Sequence, residues 1–255
     1  MRRTILLALV ATVILAPGAA TAAATSVTIG IVSDGPQERA MLRRDFILAE
    51  ARNVLGTALD IRIPDEKRLE GGWTREGIRA ALDRLLADPE VDIVLALGLV
   101  SSYEAAHRES LTKPVIAPIV TDPVLQGYPL KNGSSGRHNF VYVASFQGVA
   151  DEIRLFQRVV RFRHVAVLID RLPLETMPEL DMKAQRLASE LGVKATLVPV
   201  TTSVDEALSA LPAGTDAVYV APLMRLKESD MQELAQKLIE RRLPSFSLLG
   251  RRELL

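Results

Sequence analysis

The chain has 255 residues, of which 31 are basic and 31 acidic, so its formal charge is zero and gives no electrostatic reason to expect nucleic acid as a partner. Its apolar fraction of 48% and charged fraction of 24% are ordinary for a globular chain. The absence of Cys excludes disulfides, thiolate zinc sites and Cys nucleophiles.

The chain opens on Arg2 and Arg3, an apolar run from Ile5 to Leu15, and the small residues Ala20-Thr21-Ala22. A basic start, a short apolar run and an A-x-A site form the pattern of a secretory signal peptide, cleaved near Ala22 to Ala24. The run is about half the roughly 20 residues that a membrane-spanning helix needs. Residues 1–24 are therefore read as the signal peptide. The mature chain, roughly 230 residues, is expected in the periplasm as a soluble protein.

Strand-like runs and amphipathic stretches then alternate. Val27 to Val32 reads as a strand that ends at Ser33-Asp34-Gly35-Pro36. Glu38 to Leu55 carries Met41, Leu42, Phe46, Ala49 and Val54 at helical spacing. Ala58 to Ile63 is a second strand. Thr74 caps a helix whose apolar face is Ile78, Ala81, Leu82 and Leu85. Val91 to Leu97 is a buried-type strand, after which Gly98 and Ser101-Ser102 open a helix through His107. Val115 to Val120 is a strand, Thr121 to Arg137 a loop, and Asn139 to Val143 another strand.

A helix stripe follows at Ala150, Ile153, Phe156 and Val160. Strands are expected at Val165 to Ile169, Lys194 to Val198 and Ala217 to Val220, separated by helices near Thr176 to Leu191 and Val204 to Leu211. A last helix runs from about Ser229 to Arg241, ahead of Ser245 to Leu249. This alternation implies α/β architecture with mainly parallel sheets covered on both faces. Because the strand–helix series restarts at Val165, the expected fold is two doubly wound lobes joined by a hinge. The N-terminal lobe spans 25–146 and the C-terminal lobe 147–255.

Open parallel sheets bind ligands at the carboxyl ends of their strands, where strand order reverses. For a 2-1-3-4-5 order, the candidate binding residues are Ser33, Asp34, Gly98, Leu99, Val100 and Ser101, beside Ile119, Val120, Thr121 and Asp122. The equivalent ends in the second lobe offer Asp170, Leu223 and Met224. Ser101 and Ser102 suit a helix cap and a ligand donor equally. Tyr142 and Phe146 sit near the crossover, where rings either close over a ligand or pack in a core. Asp34, Asp122 and Asp170 either converge as carboxylates or serve turns. Trp73 has no placement from sequence alone.

Catalytic signatures are missing from the chain. There is no G-x-G-x-x-G after a strand, no P-loop, no H-E-x-x-H and no nucleophile elbow; Gly133-Ser134-Ser135-Gly136 has the wrong spacing. His107, His138 and His164 have no second ligand at metal spacing. The expectation is a binder without enzymatic activity, metal or cofactor.

The chain resembles the type I periplasmic binding proteins and, more narrowly, the substrate-binding proteins associated with ABC transporters. The likeness rests on Val27 to Val32, Ala96-Leu97-Gly98, and Pro114-Val115-Ile116 leading to Thr121-Asp122-Pro123-Val124. It continues through the strand at Asn139 and Leu243-Pro244-Ser245-Phe246. The resemblance implies capture of a small-molecule ligand between two hinged lobes and its delivery to a membrane transporter. Members usually continue past the point this chain reaches, returning into the first lobe, so a first lobe with fewer elements is expected. The other function in view is a periplasmic adaptor or sensor that contacts envelope components without transporting a solute. The inferred cleft is poor in Arg and rich in Leu, Val, Ile and Met, which suits a largely hydrophobic ligand carrying one or two oxygens.

Overall fold

The computed structural model describes residues 25–36, 38–56, 59–144 and 148–247. Two separate sheets account for its strands, and every pairing between named strands is parallel. The expected signal peptide and Phe146 lie outside the described residues.

The first sheet is centred on β1 (Thr25–Ser33). On one side β1 pairs with β2 (Leu59–Arg62) along its first half and with β3 (Arg68–Glu70) along its second. A 3₁₀ turn at Asp65–Lys67 separates those two pieces. On the other side lie β4 (Ile93–Ala96), β5 (Val115–Val120) and β6 (Phe140–Ala144). Counting β2 and β3 as one interrupted strand gives the 2-1-3-4-5 order, with its crevice between β1 and β4. Sequence reading misses β3 because Arg68 and Glu70 flank its single apolar residue, Leu69, which packs against the core.

Helix α1 (Glu38–Leu55) forms where the spacing predicts it, yet Phe46 is 66% and Val54 81% exposed. At about 100° per residue, its apolar positions, Ile47, Leu48 and Leu55 included, fall all around the helix, too widely for one sheet to cover. Helix α2 (Arg75–Ala87) is capped by Thr74, whose hydroxyl accepts the Gly77 amide at 3.1 Å. It buries Ile78, Ala81, Leu82 and Leu85 as its spacing requires. Helix α3 (Leu99–Ala106) follows β4 directly.

The second sheet runs β10-β9-β7-β8, built from β7 (His164–Asp170), β8 (Lys194–Val200), β9 (Ala217–Val220) and β10 (Ser245–Ser247). Helix α4 (Val149–Val159) leads into it. The helix expected from Thr176 is instead two, α5 (Arg171–Thr176) and α6 (Leu180–Glu190). Pro178 lies in the break; it lacks an amide hydrogen and disfavours helical backbone at the residue before it. Two more helices, α7 (Val204–Ser209) and α8 (Glu228–Glu240), complete the lobe.

The two faces of this second sheet are packed differently. On one, Leu168, Val198 and Val220 meet Leu208 of α7 and Leu234 and Leu238 of α8. On the other, Val165, Ala195 and Tyr219 meet Ile153 and Phe156 of α4 and the small Ala188 of α6. Helix α3 of the first lobe packs against α5 of the second. Among the described residues no helix is long and apolar enough to cross a membrane.

Leu168 is wholly buried, so Leu168→Ala should destabilise the protein by about 2–5 kcal/mol in urea unfolding. Phe46→Ser, on the uncovered side of α1, should change stability by less than about 0.5 kcal/mol. Equal effects would contradict the assigned packing.

Candidate ligand-binding site

The strand ends facing the other lobe are shaped by buried carboxylates. Asp34, at the end of β1, is 3% exposed and accepts the first free amides of α3, Val100 at 2.9 Å and Ser101 at 2.7 Å. Gly98 precedes them because a Cβ there would lie 2.0 Å from Asp34 Oδ1. Ser101 accepts the Gly98 amide through its hydroxyl, and Ser102 donates to the Ala96 carbonyl. The anion site that a helix start offers is thus filled by the chain's own carboxylate. Burial raises the Asp34 carboxyl above its ordinary range, opposed by the α3 amides and the Ser101 hydroxyl, while the charge of Asp170 adds to the rise.

Trp73 closes the space beside Asp34. Its ring lies on Gly35, where an added Cβ would fall 2.4 Å from the indole. Its backbone takes φ 58, a left-handed conformation unusual for a bulky residue. Two hydrogen bonds hold it there, Trp73 N–H to the Asp34 carbonyl at 2.8 Å and Gly71 N–H to the Ser33 carbonyl at 2.9 Å.

From the second lobe, the Arg225 guanidinium stands 5.6 Å from the centre of the Trp73 ring and donates to Asp170 at 3.1 Å. Asp170 also accepts the Leu172 amide, capping α5. Burial raises its carboxyl, and the charge of Arg225 opposes that rise. Leu172 then packs with Val100, Ile78 and Trp73. Arg225 reaches this junction from a segment far away in sequence, already paired with a carboxylate.

The end of β5 does different work. Asp122 accepts the amides of Val124 at 3.0 Å and Leu125 at 2.9 Å within its own turn. Its other oxygen accepts the Val149 amide at 3.0 Å, at the start of α4. Gln126 fastens the same turn, its side-chain oxygen accepting the Asp122 amide at 3.0 Å and the Thr121 hydroxyl at 3.2 Å.

Next to this turn opens a cavity whose empty space, open solvent included, is about 930 Å³. Its floor is the face of the second sheet that α6 covers, with Val167 and Ile169 of β7 and Leu197 of β8. Its walls are α6, through Leu180, Ala184 and Leu187, and α4, through Val149 and Ile153. The first lobe supplies the rest: Leu99, Thr121, Asp122, Leu125 and Gln126. Tyr219 also lines it and donates its hydroxyl to the buried Glu152 at 2.5 Å. Burial raises the Glu152 carboxyl, the Tyr219 hydrogen bond opposes the rise, and the charge of Asp122 adds to it. Among the described residues no group of three or more acidic or His side chains could hold a metal.

Three of the residues singled out from sequence, Leu99, Thr121 and Asp122, line this cavity. Ser33, Asp34, Gly98, Val100, Ser101 and Asp170 gather instead at the Trp73 junction or in the turns beside it. Val120 is buried in the first lobe's core, and Leu223 in the core under α7 and α8. Tyr142 packs with Tyr128 and Phe140 and donates to the Pro129 carbonyl. Met224 is half-buried, and the side chain of Ile119 lies outside the described set. Sequence reading misses Gln126, Trp73, Arg225 and the cavity floor. The recurrence of Leu180, Ala184, Leu187, Ala188 and Leu191 at helical spacing is the one signal that could have marked α6 as a wall.

No protein-family model matches the chain, and no curated protein sequence does. Solved structures do. The Bordetella pertussis protein described as a type 1 periplasmic binding protein superposes with a TM-score of 0.54 at 18% identity, covering 87% of this chain and 62% of that one. This chain has the type I periplasmic-binding-protein fold. An ABC domain from Streptococcus pneumonia in complex with L-Trp shares that fold at a TM-score of 0.59 and 14% identity, covering 88% of this chain and 74% of that one. A leucine-binding protein from Thermotoga maritima shares it at 0.55 and 15%, covering 88% and 62%.

The raised Glu152 carboxyl has a consequence for stability. Glu152 binds its proton more tightly folded than unfolded, so its contribution is greatest below the ordinary value of 4.5 and declines as pH rises from there through the folded value. Glu152→Gln still accepts from Tyr219 but does not titrate. Melting temperatures across pH 4 to 7 should therefore fall less steeply in the variant; parallel curves would contradict the burial of this carboxyl.

Proposed function

We propose that the protein is an exported solute-binding protein that captures a small, largely hydrophobic molecule between its lobes for an ABC-type transport system, without turning it over. The observation that carries this reading is the cavity, floored by β7 and β8 of the second lobe and lidded by the turn after β5 of the first. A ligand there touches both lobes, so its binding free energy favours the arrangement in which they meet. Each fully buried Leu-sized contact contributes roughly 1.5–3 kcal/mol before the costs of association. Structural neighbours in complex with L-Trp or described as leucine-binding support the capture of a small molecule on this fold; the ligand class is argued from the cavity itself.

Export rests on Arg2, Arg3, the run to Leu15 and Ala20-Thr21-Ala22. N-terminal sequencing of protein from the periplasmic fraction should begin between Ala23 and Thr25. An intact Met1 on a cytoplasmic protein would contradict it.

The cavity is tested by filling it. Ala184 lies half-buried on α6, where a phenyl ring would project into the space. A thermal-shift screen of aromatic and aliphatic compounds, sugars and amino acids should yield apolar hits. Ala184→Phe should weaken those hits at least tenfold while its own melting temperature stays level or rises. Unchanged affinity would place the ligand elsewhere, and tight sugar binding would overturn the ligand class. Specific capture of an envelope protein with no small-molecule transition would favour the adaptor or sensor reading.

A further inference from the structure

We infer that the ligand of this cavity is uncharged at its polar end and presents a hydrogen-bond acceptor, such as a ketone, ester or amide carbonyl, to the side-chain amide of Gln126. This rests on the cavity being the binding site. It goes further by fixing the chemistry of the ligand's head.

Gln126 is 6% exposed and lines the cavity at its polar end. Its orientation is settled by chemistry. The Asp122 backbone amide can only donate, so the atom it meets at 3.0 Å is the Gln126 oxygen. The Thr121 hydroxyl donates to the same oxygen. The NH₂ group then carries two protons, and among the described residues no hydrogen bond takes them up. A nearly buried donor with no partner is what a ligand acceptor would satisfy.

Charge excludes the alternatives. Among the described residues, the cavity lining includes no Lys, Arg or His. Its polar end holds the Asp122 carboxylate, and Glu152 lies behind Tyr219. An anionic head would sit beside two carboxyl groups in a medium that screens poorly. The groups nearby that could recognise a carboxylate are engaged by the protein's own acids: the α3 amides by Asp34, Arg225 by Asp170, and Lys183, which stands beside Gly127, by Glu179 at 2.9 Å. A cationic head would find both carboxyl groups already engaged, Asp122 by three backbone amides and Glu152 by the Tyr219 hydroxyl. Free amino acids, which need both charges recognised, fit neither end.

The test uses one body with four heads: 4-phenyl-2-butanone, 3-phenylpropionate, 3-phenylpropylamine and propylbenzene, titrated calorimetrically into the mature protein. The ketone should bind on the order of tenfold more tightly than each of the others, the usual worth of one hydrogen bond. Gln126→Glu keeps an oxygen for the Asp122 amide but removes the NH₂. In that variant the ketone should fall to the affinity of propylbenzene, which itself stays level. Tighter binding of the acid or the amine overturns the inference. Equal ketone and propylbenzene affinities in the native protein overturn it too, while leaving the apolar site intact and requiring no variant. If none of the four binds, the cavity reading fails and this inference with it.

Discussion

The placement of the cavity depends on Asp122. One of its oxygens shapes the turn after β5, and the other takes the first amide of α4, the helix that opens the second lobe. A single buried carboxylate therefore fixes both the lid and one wall. The same device recurs at the other strand ends. Asp34 of β1 satisfies the start of α3, and Asp170 of β7 satisfies the start of α5. Each answers the same physical demand, since helix starts leave amides unpaired and buried ones need acceptors. In each case the acceptor is a carboxylate at or just past a strand end rather than a ligand.

The cavity itself follows from the unequal packing of the second sheet. Under α7 and α8 the interlayer space is filled by large residues, with Leu234 and Leu238 fully buried. Under α6 it is not, because Ala184 and Ala188 face the sheet where Leu-sized chains would close it. Val167, Ile169 and Leu197 consequently remain half-buried. Apolar surface left open in this way is costly unless something covers it, and the first lobe covers only part. At the Trp73 junction the protein's own side chains meet across the interface: Leu172 packs on Val100, and Arg225 bridges Asp170 and the Trp73 ring. One part of the interlobe contact is thus made by the protein's own side chains, and the cavity is available to a ligand.

Much of the fold was legible because local signals agreed. Alternating strands and helices gave the two parallel sheets, and Thr74 marked the start of α2 by its capping chemistry. The three Asp residues were visible at strand ends, with turn duty among their readings. What could not be read was direction. Along a strand, side chains alternate between faces, and nothing local says which face of β5 or of the segment after β9 meets the cleft; Val120 and Leu223 turn out to face lobe cores. Nor could Trp73 and Arg225 be paired, since their meeting depends on how the lobes dock. The floor of the cavity reads as an ordinary apolar strand face, and only the small residues of α6 distinguish it from core.

Amide hydrogen exchange with saturating 4-phenyl-2-butanone locates binding most directly, because protection reports where a ligand suppresses local opening. Exchange should slow in the turn 121–126 and along α6, the two sides of the cavity, and stay unchanged across residues 100–103 of α3, whose first amides Asp34 holds. Protection at 100–103 with none along α6 would contradict a site under α6 and return it to the strand-end crevice that Asp34 fills.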